Sequence, residues 1–191
     1  MRIAILGWGS LLWEGGTEFD SWHGDWALDG PALKIEFCRI SQTRLGALTL
    51  VIDDEHGTPT TVGWCVSKRT KLDDAMCDLR SREGTTLDQI GRIAIPQRAN
   101  PTTATPANAA IENWAQGKEL AAVIWTALGS NFQEKTKQRF SVDAAITHLK
   151  SLPPEAKAKA AEYIWRAPRF VNTPLRAAME VPPWFLESIK S

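Results

Sequence analysis

Two places in this chain carry residue types and spacings that could do chemistry. The first is Gly7-Trp8-Gly9-Ser10, which breaks the apolar run Ile3–Leu6. Two glycines around one bulky residue let a backbone turn sharply and present N–H groups. Such a loop can hold a carboxylate, a phosphate or an oxyanion. The second is Glu83. Leu72, Ala75, Met76 and Leu79 form one apolar stripe at helical spacing. Eleven residues on from Leu72, at about 100° each, Glu83 returns almost to the bearing of that stripe. A carboxylate then sits at the end of a buried face, where low dielectric resists ionisation and raises the pKa toward neutrality. A poised carboxylic acid beside oriented N–H groups is the equipment of general acid/base catalysis. The competing reading makes Glu83 a helix-end residue paired with Arg80 or Arg82 or reaching to solvent. The negative end of the helix dipole disfavours a carboxylate there, which favours the functional reading.

The elements that would position these groups follow from pattern and punctuation. Ile3–Leu6 reads as a buried strand and residues 14–31 as a loop closed by Gly30-Pro31. Leu33–Thr43 alternates as a long strand. Ala47–Ile52 and Thr60–Ser67 flank the turn Asp53–Gly57, so 47–67 reads as a hairpin. Thr70 is the expected N-cap of a helix to Arg82, with Asp73 completing a capping-box variant and Gly84 ending the helix. Arg92–Ile95 reads as a short strand and Pro96–Ala107 as a loop. Thr105 caps a helix with Pro106 at its first position and Gly117 beyond it. Ala121–Leu128 is another strand, followed by a turn at 129–131. Ser141 caps a helix striped by Val142, Ala145, Ile146 and Leu149. Pro153-Pro154 opens an alanine-rich helix to about Arg166, and Pro182-Pro183 a last short one carrying Trp184, Phe185 and Ile189. Hairpin and strands preceding helices predict an α+β fold with a mostly antiparallel, barrel-like mixed sheet and flanking helices. No composition break marks a second domain. Residues 1–191 read as one domain with an extra helical segment from about 140.

Composition narrows the function classes. The 191 residues carry 22 Lys+Arg and 22 Asp+Glu, which gives no basic surface for nucleic acid or an anionic membrane. No apolar run approaches the ~20 residues of a membrane span, and the N-terminus lacks a signal-peptide pattern. Cys38, Cys65 and Cys77 are odd in number and unclustered, as expected of a reduced, cytoplasmic protein. His23, His56 and His148 are isolated, so no metal site is expected. Nine tryptophans suggest an aromatic-rich core, with Trp8 and Trp13 flanking the first turn as the two expected to line a cleft.

Three other chemistries fit less well. A dinucleotide fingerprint would need a glycine at position 12, where Leu12 stands, and a helix where Gly15-Gly16 intervene; Asp25 or Asp29 alone could serve as its acid. Cys38 or Cys65 with His23 or His56 could make a thiol hydrolase, but both cysteines lie in strands. Ser10 lacks the G-x-S-x-G setting of an acyl nucleophile.

The strand ending in Gly-Trp-Gly-Ser-Leu-Leu-Trp resembles the signature turn of the γ-glutamyl cyclotransferase-like superfamily, usually Tyr-Gly-Ser followed by small or apolar residues. The Ser-Leu-aromatic version is similar to the ChaC branch. Arg39, the strands around Leu48–Ile52 and Thr61–Val66 with Gly63, and Leu79–Gly84 fall in the family's order. The likeness covers about residues 3–96, with a weaker echo through 121–131. It implies the family's fold and an acyl-cyclising lyase or transferase that releases 5-oxoproline from a small γ-glutamyl amine or peptide. The substrate's own α-amine attacks its γ-carbonyl, so no cofactor is implied. It implies Glu83 as the general acid/base and Gly7, Trp8, Gly9, Ser10, Leu11, Leu12 and Trp13 as the walls that hold the glutamyl head. Trp8 stands where the family usually has Tyr, and the later tyrosine of some members has no counterpart near it; Tyr163 is the chain's only one. The alternative is a non-catalytic fold relative binding an acidic small molecule or a protein.

Overall fold

The computed structural model describes residues 1–15, 17–95 and 105–180. Most of the expected loop at 96–107 and the expected last helix after Pro182-Pro183 fall outside these. Among the described residues the protein is α+β, with six α-helices and two sheets. The sheets do not close into the expected barrel: they are two open sets of strands, one of four and one of three. The chain folds into two compact units, 1–33 with 61–128, and 34–60 with 129–191.

The first unit holds the four-stranded sheet. Its interior strand β1 (Ile3–Gly7) is buried along its whole length, with a strand on each side of it. β1 runs antiparallel to β5 (Gly63–Val66), with Gly7 opposite Gly63, and parallel to β7 (Ala122–Thr126), with Ile5 opposite Ile124. β6 (Ile90–Ala94) closes the sheet antiparallel to β7, with Ile90 opposite Thr126. Side chains alternate across a strand. Ile3, Ile5, Cys65, Ile90, Ala122 and Ile124 therefore share the face that packs on Ala75, Met76 and Leu79 of α1 (Leu72–Glu83). On the other face Trp64, opposite Leu6, meets Trp114 of α2 (Pro106–Gln116) edge-on, with ring centroids 5.1 Å apart.

α1 starts later than expected. Its N-cap position is Lys71, not Thr70, and no side chain caps it. Arg69 anchors the approach instead: its guanidinium grips both oxygens of Asp78 at 2.7 and 3.0 Å and stacks 3.4 Å over the Trp22 ring. Gly84 ends α1 as expected, in the left-handed region at φ 60°, ψ 38°. Residues 14–31, expected as a loop, hold a 3-10 helix at Glu18–Trp22 with a Thr17–Asp20 capping box.

The second sheet, which apart from Ala32, Leu33 and Thr61 lies in the second unit, holds β2 (Ala32–Ile40), β3 (Leu48–Ile52) and β4 (Thr58–Thr61), in the order β3-β2-β4. The hairpin expected over 47–67 does not form. β2 lies between β3 and β4, and the run 60–67 divides at Val62, whose N–H donates to Pro31 and whose carbonyl accepts from Gly30. That local pairing withdraws Val62 from either ladder, so β4 joins β2 while β5 joins β1. α3 (Phe132–Thr136), α4 (Val142–Ser151), α5 (Pro154–Arg166) and α6 (Pro174–Met179) complete this unit. The caps expected at Thr105 and Ser141 are present, accepting from the N–H groups of Asn108 and Ala144. No described helix is long and apolar enough to cross a membrane.

Candidate active site

The topology of the first unit carries its candidate residues to one edge of the sheet. β1 and β7 are parallel and paired as far as Ile5–Ile124, and each ends two residues further on, at Gly7 and at Thr126. Only Gly84–Gln89 separate the end of α1 from Ile90, which pairs with Thr126, and the Gln89 carbonyl accepts from Ala127 at 2.8 Å. The C-terminal end of α1 therefore stands at the edge where β1 runs into its turn.

That turn is a 3-10 helix at Ser10–Leu12. The Gly9 carbonyl accepts from Leu12 at 2.9 Å, and the Ser10 carbonyl accepts from Trp13 at 3.2 Å and Glu14 at 2.8 Å. The N–H groups of Leu12, Trp13 and Glu14 are thus spent within the turn. Those of Ser10 and Leu11, at its start, are not among these bonds. Gly7 and Gly63 serve close packing, whereas Gly9 sits at φ −120°, ψ −143°, outside the regular backbone regions. Neither Gly7 nor Gly9 has positive φ. A Cβ on Gly7 would come within 2.9 Å of the Trp26 ring, and one on Gly63 within 2.8 Å of Leu12 Cδ2. Leu11, Trp26 and Leu72 pack at the rim of the α1-side core. Trp8 is only 5% exposed, so its indole belongs to the interior of the unit, whereas Trp13 is half-buried.

Glu83 lies at the last turn of α1 with its side chain 19% exposed, neither sealed in nor fully open to water. Arg82 ties it to the first turn. Its Nη2 donates to the Glu14 carbonyl at 3.0 Å and lies 3.6 Å from that residue's carboxylate; its Nη1 is 4.0 Å from Glu83 Oε1. Of the two arginines expected as partners for Glu83, Arg82 is the one found beside it. Its shortest bond nonetheless goes to Glu14. Sequence spacing marks Arg82 only as a charge partner and does not reveal it as the brace between turn and helix. Trp26 is equally hidden, because a contact between a tryptophan and a glycine 19 positions apart leaves no periodic trace.

The thiol chemistry finds no support. Burial pushes the Cys38 and Cys65 thiols far up, and Cys38 donates to Asp53 Oδ2 at 3.3 Å, so neither offers a thiolate. Asp53 is held low despite its own burial, because the His56 and Glu55 amides, the Cys38 thiol and the His56 ring all surround it. That cluster organises the Asp53–Gly57 turn. Among the described residues no group of three or more His, Cys, Asp or Glu side chains could hold a metal ion. Neither a protein-family model nor a curated protein matches this chain at a significant level.

Proposed function

We propose that the protein is a γ-glutamyl cyclotransferase-type enzyme that releases 5-oxoproline from a small γ-glutamyl amine or peptide, built on that superfamily's fold. One observation supports this reading: Arg82 lies between Glu14, two residues past the end of the short 3-10 turn, and the partly shielded Glu83 carboxylate. The resemblance of Gly7–Trp13 and of Arg82-Glu83-Gly84 to the superfamily's signatures supports it.

In this mechanism the glutamyl head sits against the turn, with the Ser10 and Leu11 N–H groups and the Ser10 hydroxyl as donors. Glu83 takes a proton from the substrate's α-ammonium. The freed amine attacks the γ-carbonyl, Glu83 passes its proton to the leaving nitrogen as that C–N bond breaks, and the second proton of the ring nitrogen follows through Glu83 to the departing amine, which leaves as an ammonium ion and leaves the lactam with one N–H. The nucleophile belongs to the substrate, so the chain supplies position and proton transfer; holding reacting atoms in line contributes several kcal/mol. The experiment is 5-oxoproline release from a panel of γ-glutamyl amines and dipeptides by the wild-type protein and by Glu83→Gln. The wild type turns over at least one member of the panel, and Glu83→Gln loses about 10²-fold or more. Equal rates in the two proteins would remove Glu83 from the reaction. Tight binding of γ-glutamyl compounds without product would favour the binding-module reading.

A further inference from the structure

His23 is a buried histidine of the first unit, its side chain only 8% exposed. Its two ring nitrogens face different groups. Nδ1 lies 2.6 Å from the Gly24 carbonyl, which only accepts, so Nδ1 carries a proton. Nε2 is sealed from water, has no hydrogen-bond partner among the described residues and lies 3.5 Å from Asp20 Oδ1. In a neutral ring with Nδ1–H, Nε2 bears a lone pair. That lone pair would face a carboxylate oxygen, itself an acceptor. Both nitrogens meet a suitable group only when Nε2 is protonated as well. Burial opposes that charge, and the Asp20 carboxylate offsets the opposition.

The pair sits where it can hold a segment of chain. Asp20 belongs to the 3-10 helix Glu18–Trp22, and its second oxygen accepts from the Thr17 N–H at 3.0 Å to close the capping box. Phe19 of that helix enters the α1-side core and its ring lies 4.7 Å from the His23 ring. Beyond His23 the backbone is fixed to β5: Gly24 donates to Val66 at 2.8 Å, and Ala27 and Trp64 exchange two bonds of 2.8 Å. One carboxylate therefore joins the start of the helix, through Thr17, to its fixed end, through His23. Thr17 follows Glu14, which Arg82 holds, by three positions, so this link restrains the chain that leaves the first turn. The other charged groups of the surrounding elements are Glu18 and Asp25 on the same segment, Lys68 and Arg69 after Ser67, which bridges to His23, and Asp74 and Asp78 on α1. Lys68 Nζ donates to the Ser21 carbonyl at 3.0 Å, and Arg69 grips Asp78.

We propose that Asp20 and His23 form a pH-sensitive clasp on residues 17–22, closed when the His23 imidazolium donates Nε2–H to Asp20 and opened when the ring loses that proton. The folded clasp binds a proton, so its stabilisation is present at low pH and is lost as pH rises through the His23 transition. A histidine buried as the neutral base gives the opposite slope, because unfolding would then take up the proton. Opening loosens 17–22 while the backbone pairing of Gly24 and Ala27 with β5 stays in place.

The test follows the ring and the segment together. Heteronuclear NMR reads the protonation of both His23 nitrogens from about pH 5 to 8, and amide exchange of residues 17–22, corrected for its intrinsic pH dependence, is measured on the same samples. Wild type, Asp20→Asn and His23→Gln are compared as full-length proteins. Asp20→Asn keeps an oxygen for the Thr17 N–H and removes the charge. In the wild type, Nδ1 keeps its proton throughout, Nε2 loses its own as pH rises, and exchange of the 17–22 amides quickens roughly tenfold across that step. Asp20→Asn moves the ring transition down by roughly one pH unit and shrinks the exchange step. His23→Gln has no step. A ring transition that stays put or moves up in Asp20→Asn would overturn the clasp. So would wild-type exchange that is flat, or slows, as His23 loses its proton, a result that stands even if neither variant folds. Turnover enters none of these readouts, so the clasp is decided separately from the proposed reaction.

Discussion

Two glutamates, one in each compact unit, show how differently a fold can hold the same side chain. Glu36, on β2, is fully buried; its Oε1 accepts from the Phe37 N–H at 2.7 Å and its Oε2 from the Leu175 N–H at 3.4 Å. Burial pushes its carboxyl up, and the Thr173 hydroxyl and the two amides oppose that only in part. Glu83 instead sits at a helix end with a fifth of its side chain open to solvent, beside an arginine whose shortest bond lies elsewhere. Both carboxylates are shielded, so shielding alone does not separate structure from chemistry. What separates them is exposure: Glu36 is sealed from water with backbone N–H groups on both oxygens, whereas Glu83 is partly open to solvent beside Arg82.

The widest separation is expected from the reciprocal pair of amide substitutions. Glu83→Gln reduces 5-oxoproline release by about 10²- to 10⁴-fold and leaves the thermal midpoint near that of the wild type. Glu36→Gln does the reverse, lowering stability by about 1–3 kcal/mol because one backbone N–H loses its acceptor, with kcat unchanged. Measuring both quantities on both proteins checks the contrast. A Glu83→Gln protein that melts early while retaining its rate would collapse it.

A second comparison concerns the packing of the first turn. Gly7→Ala places a Cβ within 2.9 Å of the Trp26 ring, which must shift. Overpacking of this kind is expected to destabilise by about 1–3 kcal/mol. Trp26→Leu in the same chain opens the space and recovers part of the loss, readable from urea midpoints as a coupling between the two sites. If the double variant is no more stable than the sum of the single changes, the glycine is required for some other reason.

How much of this was legible in the sequence depended on the range of the interaction. β1, the C-terminal stop of α1 at Gly84, and the caps at Thr105 and Ser141 are local, and the residues that specify them are neighbours. The position of Glu83 in the last turn of α1 was readable from helical spacing, whereas its partly exposed setting beside Arg82 was not. Partner choice between strands was not. Two strands flanking an Asp-rich turn look like a hairpin whether or not a third strand lies between them, and only the Val62 pairing with Gly30 and Pro31 breaks that run in two. The 14–31 stretch failed for a related reason: its order comes from one short capping box and from aromatic contacts such as Phe19–His23 at 4.7 Å, not from a period. At the site, Arg82 and Trp26 act through contacts distant in sequence, which spacing cannot encode.

The pH dependence of Glu36 sharpens the contrast between the two glutamates further. Its folded-state pKa is raised above the ordinary value of 4.5. The unfolded chain therefore releases this proton first as pH rises. The stability contributed by protonated Glu36 is fully present below 4.5 and is lost as pH climbs through the raised value. Glu36→Gln lacks this titration. The stability gap between wild type and Glu36→Gln is expected to be largest near pH ~4 and to narrow toward about pH 7, followed by urea denaturation at each pH. A gap that widens with pH would mean that the folded protein prefers the charged form.

The smallest expected effect isolates one of the groups that opposes this shift. Thr173 N-caps α6, accepting from the Arg176 N–H at 3.3 Å, and its hydroxyl also donates to Glu36. Thr173→Ala removes both interactions and is expected to lower stability by about 1 kcal/mol from the cap alone. Losing a donor to the carboxylate also raises the Glu36 pKa further, so the variant's stability falls with pH over a range extended upward. Glu36→Gln in the same background should abolish that extension while leaving the cap loss intact, because an amide does not titrate. Thr173→Ser keeps a hydroxyl in place and is expected to behave like the wild type. If Thr173→Ala shows the cap loss but an unmoved pH profile, the Thr173 hydroxyl holds the helix alone, and the Phe37 and Leu175 amides by themselves set how strongly Glu36 retains its proton.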